Sequence, residues 1–192
     1  MSSSLPRLEF PDFPAALAAC LEPRVKRLGY LGEFFKCAAH QPEALAAFME
    51  FTEASQDGLS RRLVEVITLT CTTWMGNDYE RNQHERLSVR LGLGRDWVAA
   101  VNALKPDADS VLTDEERRVQ RLTLAVLDRR GKGAGRLFEE TVQGLGAKPA
   151  VALLMVIGRC VAHSLLVNTL ELEPPVPSIF ADGFDACYLP PK

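Results

Sequence analysis

Apolar residues along this chain recur at three- and four-residue spacing in segment after segment, while the alternation of half-buried strands is almost absent. The pattern predicts an all-α fold. Pro14 opens a short helix carrying Leu17 and Leu21 that stops before Pro23, and a second helix carries Val25, Leu28, Leu31, Phe35 and Ala38 up to His40. Pro42 suits the first turn of the next helix, which buries Leu45, Phe48, Met49 and Thr52 and ends near Asp57-Gly58. Ser60 is placed to cap a helix from Arg61 to Met75 that breaks at Gly76, and another runs from about Asn77 to Leu91.

Gly92 and Gly94 precede a short helix through Trp97, Val98 and Val101, and a polar loop follows from Lys105 to Ser110. Thr113 and Glu116 form a capping-box pattern ahead of Val119, Leu122, Val126 and Leu127. Gly131 to Gly135 is a connection, Arg136 to Leu145 a short helix, and Lys148 to about Leu170 a long apolar one. From Glu173 onward, Pro174, Pro175, Pro177, Pro190 and Pro191 forbid regular structure, so this tail is expected to lie extended over a surface of its own or a neighbouring chain. Pro42 to Leu91 and Thr113 to Leu170 share a rhythm that is compatible with a degenerate internal repeat within one domain spanning residues 1–192.

A chain of 192 residues can bury a full core. Its formal charge of −3 is spread without like-charge blocks, which argues against nucleic acid or an anionic membrane as the main partner. The five cysteines, Cys20, Cys37, Cys71, Cys160 and Cys187, are widely spaced and form no metal or redox pair in sequence, so a reduced, cytoplasmic protein without metal or cofactor is expected. No signal-peptide pattern opens the chain, and the longest continuous apolar stretch, Ala150 to Ile157, falls short of the roughly 18 residues of a membrane span. The glycine-rich Gly131 to Gly135 lacks the features of a phosphate-binding loop.

The chemistry concentrates around Gly76. Glu65 sits within the apolar run Leu63 to Leu69, where an ionised carboxylate needs a partner. Glu80, His84, Leu87 and Leu91 lie on one helical stripe, and if the leucines face the core they carry Glu80 and His84 inward. A tight turn at Gly76 packs the two helices antiparallel and brings Glu65 to the level of Glu80 and His84. Two carboxylates and an imidazole in one dry pocket can divide acid and base roles between them, or simply form a satisfied structural network. Trp74, Met75 and Tyr79 are candidates to line a pocket for a flat substrate, with core packing the alternative. Asn77 is a further candidate at the substrate site, or a helix cap. His163, between Arg159 and Asn168 on the apolar final helix, reads as a core histidine, and His40 as a helix-end residue.

Glu65, then eleven residues, then Asn77-Asp78-Tyr79-Glu80 and His84, resembles the signature of the carboxymuconolactone decarboxylase and alkylhydroperoxidase D-like superfamily. In that superfamily a glutamate-bearing helix precedes a C-x-Y-C-x-x-x-H motif. Asn77 and Glu80 occupy the two cysteine positions, and Tyr79-Glu80-Arg81-Asn82-Gln83-His84 resembles a cysteine-less branch. Gly29 to Phe35, His40 to Leu45 and Leu91 to Gly94 also resemble the family, and the likeness spans about residues 24–172. It implies an AhpD-like helical bundle that assembles as a homo-oligomer (dimer, trimer or hexamer) and acts on a small molecule. Peroxide reduction in this superfamily needs a thiolate and a resolving thiol, which carboxylates cannot replace. The resemblance therefore implies cofactor-independent acid–base chemistry, a decarboxylation or isomerisation of a small carboxylated or enolisable substrate. His84 would transfer the proton, Glu65 orient it, and Glu80 assist. The rivals are a redox protein using a thiol outside the motif, such as Cys71, and a non-catalytic helical oligomer.

Overall fold

A computed structural model describes residues 5–108 and 111–181, without the side chains of Arg27 and Leu28. Among the described residues there are nine α-helices and no strand, as the periodicity predicts. They are α1 (Ala15–Leu28), α2 (Glu33–Ala38), α3 (Pro42–Ala54), α4 (Arg61–Met75), α5 (Asp78–Arg90), α6 (Arg95–Asn102), α7 (Asp114–Arg129), α8 (Gly135–Leu145) and α9 (Ala147–Thr169).

Helix α4 is the axis of the fold. Every residue from Leu63 to Thr72 is buried, and the helix packs on α5, α6, α7 and α9. A helix that is dry on all sides must satisfy its polar groups internally. Thr72 returns its hydroxyl to the Thr68 carbonyl at 2.8 Å, and Thr70 Oγ1 accepts Gln120 Nε2 at 3.2 Å. Around α4 runs the larger core, with Ile67, Trp97, Val119, Leu122, Leu153 and Ile157, while a second core gathers Leu17, Leu21, Phe34, Leu45, Met49 and Tyr79 beneath α1 to α3.

The predicted helix ends are set by local chemistry. Ser60 Oγ accepts Leu63 N at 3.3 Å, Gly76 closes α4 with φ of 65°, and Thr113 and Glu116 complete a reciprocal capping box. Glu116 also accepts Trp97 Nε1 at 2.9 Å and the Arg62 guanidinium, so this cap ties α4, α6 and α7 together.

Three expectations change. Helix α1 does not stop before Pro23 but runs through it to Leu28, ending at Gly29 in the left-handed region (φ 78°). Proline inside a helix loses one backbone bond, costing about 3 kcal/mol; burial of Leu17 and Leu21 against α3 and the second core offsets it. The expected second helix therefore shrinks to α2, because Gly29 ends the turn that Val25 begins. Finally, α9 as a whole is long and apolar enough to cross a membrane, Arg159 and His163 notwithstanding, although no stretch is unbroken; more than half of its most apolar window is buried in this fold.

The tail, up to Ala181, lies over its own chain. Asn82 Nδ2 donates to the Val176 carbonyl and Arg86 Nε to that of Pro177, each at 3.0 Å. Glu85 accepts Ser178 Oγ at 2.6 Å and Ile179 N at 3.1 Å, and Ile179 is fully buried. Asp109, Ser110, Cys187, Pro190 and Pro191 fall outside the described residues.

Candidate acid–base site

Helices α4, α5 and α9 converge where the two cores meet, and their polar residues interlock there. The antiparallel turn at Gly76 places Glu65, with none of its surface exposed, opposite His84. Glu65 Oε2 lies 2.7 Å from His84 Nδ1. A carboxylate can only accept, so Nδ1 carries the proton and Nε2 is the nitrogen left for other partners. Arg61 approaches the other Glu65 oxygen at 3.6 Å. His84 Nε2 stands 3.7 Å from Glu80 Oε1, too long for a direct hydrogen bond but close enough to favour an imidazolium.

Glu80 is held from the far side by α9. Arg159 Nη1 bonds Glu80 Oε1, and His163 Nδ1 lies 3.0 Å from Glu80 Oε2. Burial pushes the Glu80 carboxyl up, but the Arg159 guanidinium and His163 outweigh it and hold the group well below the usual carboxylate range. Burial lowers His84, yet the Glu65 charge and hydrogen bond, reinforced by Glu80, raise it above its ordinary value. Arg159 is held more firmly protonated than an ordinary arginine: burial opposes its charge, and the Cys160 and Glu80 charges overcome that. The site thus combines a fixed carboxylate with an imidazole that carries its proton to higher pH than usual.

A cavity of about 90 Å³ opens onto this cluster, lined by Tyr30, Phe34, Tyr79, Gln83, His84 and His163, with Glu80 and Arg24 also at its wall. The His84 side chain keeps 20% of its surface, against none for Glu65 and 8% for Glu80. Tyr79 Oη accepts Phe34 N at 3.2 Å, and burial pushes its hydroxyl up to about 12, so it stays protonated at neutral pH. Gly32 is required beside it, since a β-carbon there would sit 2.7 Å from Tyr79 Oη.

The structure brings together Glu65, Glu80, His84 and Tyr79, but for a different reason from the one the stripe suggested. Leu87 is half-buried and Leu91 is 43% exposed, so leucines do not turn α5 inward. The buried face of α5 is Tyr79, Glu80, Asn82, Glu85 and Ser88, of which Glu80, Asn82 and Glu85 are held inward by hydrogen bonds and ion pairs. Asn77 caps α5 by accepting Glu80 N at 3.1 Å and donates to Ser164 Oγ at 2.9 Å; it is not in the cavity wall. Trp74 and Met75 face a separate apolar cleft, where Trp74 Nε1 donates to Asp128 at 2.8 Å. His40 Nε2 contacts the Pro6 carbonyl at 2.9 Å and lies apart from the site.

Residues 42–109 match the model of the carboxymuconolactone decarboxylase family. This segment, about a third of the chain, is similar to that family. It runs from α3 past α6 and contains Glu65, Asn77, Tyr79, Glu80 and His84, whereas Arg159 and His163 lie beyond it. No curated protein matches the chain significantly. Among solved structures, the AhpD core of an uncharacterised peroxidase-related protein from Ralstonia eutropha has a TM-score of 0.79 at 16% identity, covering 96% of this chain and 95% of that one. A protein of unknown function from Agrobacterium tumefaciens, described as a candidate antioxidant defence protein AhpD, has a TM-score of 0.66 at 23% identity, covering 73% and 96%. A cysteine-to-alanine variant of the debrominase Bmp8, in complex with 2,3,4-tribromopyrrole, scores 0.75 at 16% identity, covering 90% and 92%. The carboxymuconolactone decarboxylase-like segment is thus embedded in an AhpD-like helical fold.

Sequence reasoning missed two site members, Arg159 and His163. Their signal was present: a cation and an imidazole four residues apart on the most apolar helix of the chain. Cys71 and Cys160 are both fully buried and interact electrostatically, with Arg159 Nη2 at 3.0 Å from Cys160 Sγ.

Proposed function

We propose that this protein is a cofactor-independent enzyme that transfers protons on a small carboxylated or enolisable substrate, with His84 as the proton carrier. The observation that carries this reading is the Glu65–His84 bond at 2.7 Å, which occupies Nδ1 and leaves Nε2 without a direct hydrogen bond to Glu80, 3.7 Å away, on a residue that lines the cavity. Loss of carbon dioxide, or of a proton next to a carbonyl, leaves electron density on carbon as a carbanion or dienolate. Protonated His84 supplies the proton from Nε2 to that carbon and becomes neutral, its Nδ1–H still held by Glu65. Glu80, kept ionised by Arg159, favours recharging of His84 by water or by the next substrate. In an isomerisation neutral His84 would first take the proton from the substrate carbon at Nε2 and then return it to another carbon of the same substrate. The test is turnover of a panel of lactone, β-keto and aromatic acids by wild type and His84→Ala, with folding checked by circular dichroism; undiminished turnover by the folded variant would refute the assignment.

A second reading rests on the Cys71–Cys160 pair. Burial raises Cys160, but the Cys71 hydrogen bond and the Arg159 charge bring it below the ordinary thiol value, the direction a redox thiol needs. Both sulfurs are sealed from solvent and neither lines the cavity, which weighs against turnover of peroxide there. Peroxide consumption that is lost in Cys160→Ala and survives His84→Ala would favour it over the acid–base reading.

A further inference from the structure

Helix α9 turns Arg159 and His163 inward to the site and presents a face to solvent that carries no polar side chain over four turns. From Val151 to Leu166 every exposed residue is apolar: Val151, Leu154, Met155, Gly158, Ala162, Leu165 and Leu166. Leu165 is 56% exposed and Met155 47%. Isolated surface leucines are common, but a continuous stripe of this kind marks a contact surface.

The order of residues in the stripe says what covers it. About Cys160 the pattern is close to palindromic: Leu154 and Leu166 are equidistant from it, as are Met155 and Leu165, and Gly158 and Ala162. Two copies of α9 laid antiparallel about a two-fold axis at this level would set Leu154 against the second copy's Leu166, Met155 against its Leu165, and Gly158 against its Ala162. Small residues meet at the centre, where the helices come closest, and large ones meet towards the ends, where they diverge. Such self-complementarity is what a two-fold interface requires and what an unrelated partner does not.

The stripe is about 24 Å long and roughly 10 Å wide, small against the ~800 Å² per copy of a standard interface. It does not end at the helix edge, however. Leu154 and Gly158 also wall the apolar cleft of about 810 Å³ formed with Trp74, Val126, Phe138 and Val161, beside which the second copy's Leu166 would fall. A membrane surface fits less well. The chain's net charge is −3, and Lys148, the lysine at the start of α9, is paired with Asp57 at 2.7 Å.

We infer that the outer face of α9 is a two-fold seam between two copies of this chain, in antiparallel register about Cys160. Beyond homo-oligomerisation in general, this names the surface, the symmetry and the residue pairs, and it is independent of the reaction catalysed. The experiment is sedimentation equilibrium of the full chain at micromolar concentration. Wild type is expected at an even multiple of the monomer mass. Leu165→Glu/Leu166→Glu is expected to weaken the association about 100-fold or more while retaining its helical circular dichroism. Register is read separately on a Cys20→Ser/Cys187→Ser background. A mixture of Gly158→Cys and Ala162→Cys chains should crosslink under mild oxidation far more than either variant alone. A monomeric wild type, whether or not it binds phosphatidylserine vesicles, overturns the inference. So does an assembly unaffected by the two glutamates, or crosslinking with no preference for the mixture.

Discussion

Replacing Arg159 by methionine removes the guanidinium while keeping most of the apolar stem. In the folded protein Glu80 would then keep only His163 at 3.0 Å and His84 at 3.7 Å as counter-charges, with 8% of its side chain exposed. Breaking a buried pair by removing one partner costs about 3–5 kcal/mol, because the other charge is left without compensation. For a chain of this size that corresponds to a fall in Tm of about 6–20 °C. The stranded carboxylate can escape the penalty by taking up a proton. Glu80 is depressed in the folded state, so its contribution is present above the ordinary carboxyl range and is lost as pH falls through the folded value. In Arg159→Met the folded value moves up toward or past the unfolded one, so the stability lost on acidification must be smaller than in wild type. Converting the partner as well, in Glu80→Gln/Arg159→Met, removes the stranded charge and should recover about 2 kcal/mol relative to the sum of the single variants. Urea denaturation of the four proteins across the acid range measures both effects. An Arg159→Met penalty below about 1 kcal/mol, or strict additivity, would refute the claim that Glu80 is a buried ion held by α9.

Glu65→Gln keeps the shape but not the charge; the His84 pKa, followed by NMR, should fall, since Glu65 is the main influence opposing its burial. In wild type the stability from protonated His84 is present below its ordinary value and declines as pH rises through the raised folded value, and turnover that uses it as an acid should decline over the same window. Gly32→Ala must displace the Tyr79 hydroxyl, lowering stability by about 1–3 kcal/mol, and Tyr79→Phe in the same chain should relieve part of that in thermal melts. Glu116→Gln weakens the cap shared by Thr113, Trp97 and Arg62 and should cost about 1–3 kcal/mol in denaturant titrations.

The helical order was legible because each boundary has a local cause: Ser60, Gly76, Thr113 with Glu116, and the glycines at 92 and 94. Pro23 was misleading for the same reason, as a local rule was overridden by tertiary burial of Leu17 and Leu21. The Glu65–His84 contact could be anticipated from a carboxylate in an apolar helix and a tight turn after it. Arg159 and His163 stand out as polar residues on an apolar helix, but their partner could not be read, since they join Glu80 across 79 and 83 positions of sequence. The inward face of α5 defeats a hydrophobic template altogether, because Glu80, Asn82 and Glu85 are buried by their partners and not by their own polarity.

The proposed activity depends on His84 moving a proton to carbon. The most direct measurement is deuterium incorporation from solvent, with carbon dioxide release followed in parallel, when wild type and His84→Ala are given a panel of lactone, β-keto and aromatic acids. Incorporation into at least one acid by wild type, abolished in a His84→Ala protein that remains folded, is the predicted result. Incorporation that persists without His84, or no incorporation into any acid while peroxide is consumed by a thiol-dependent route, would contradict it.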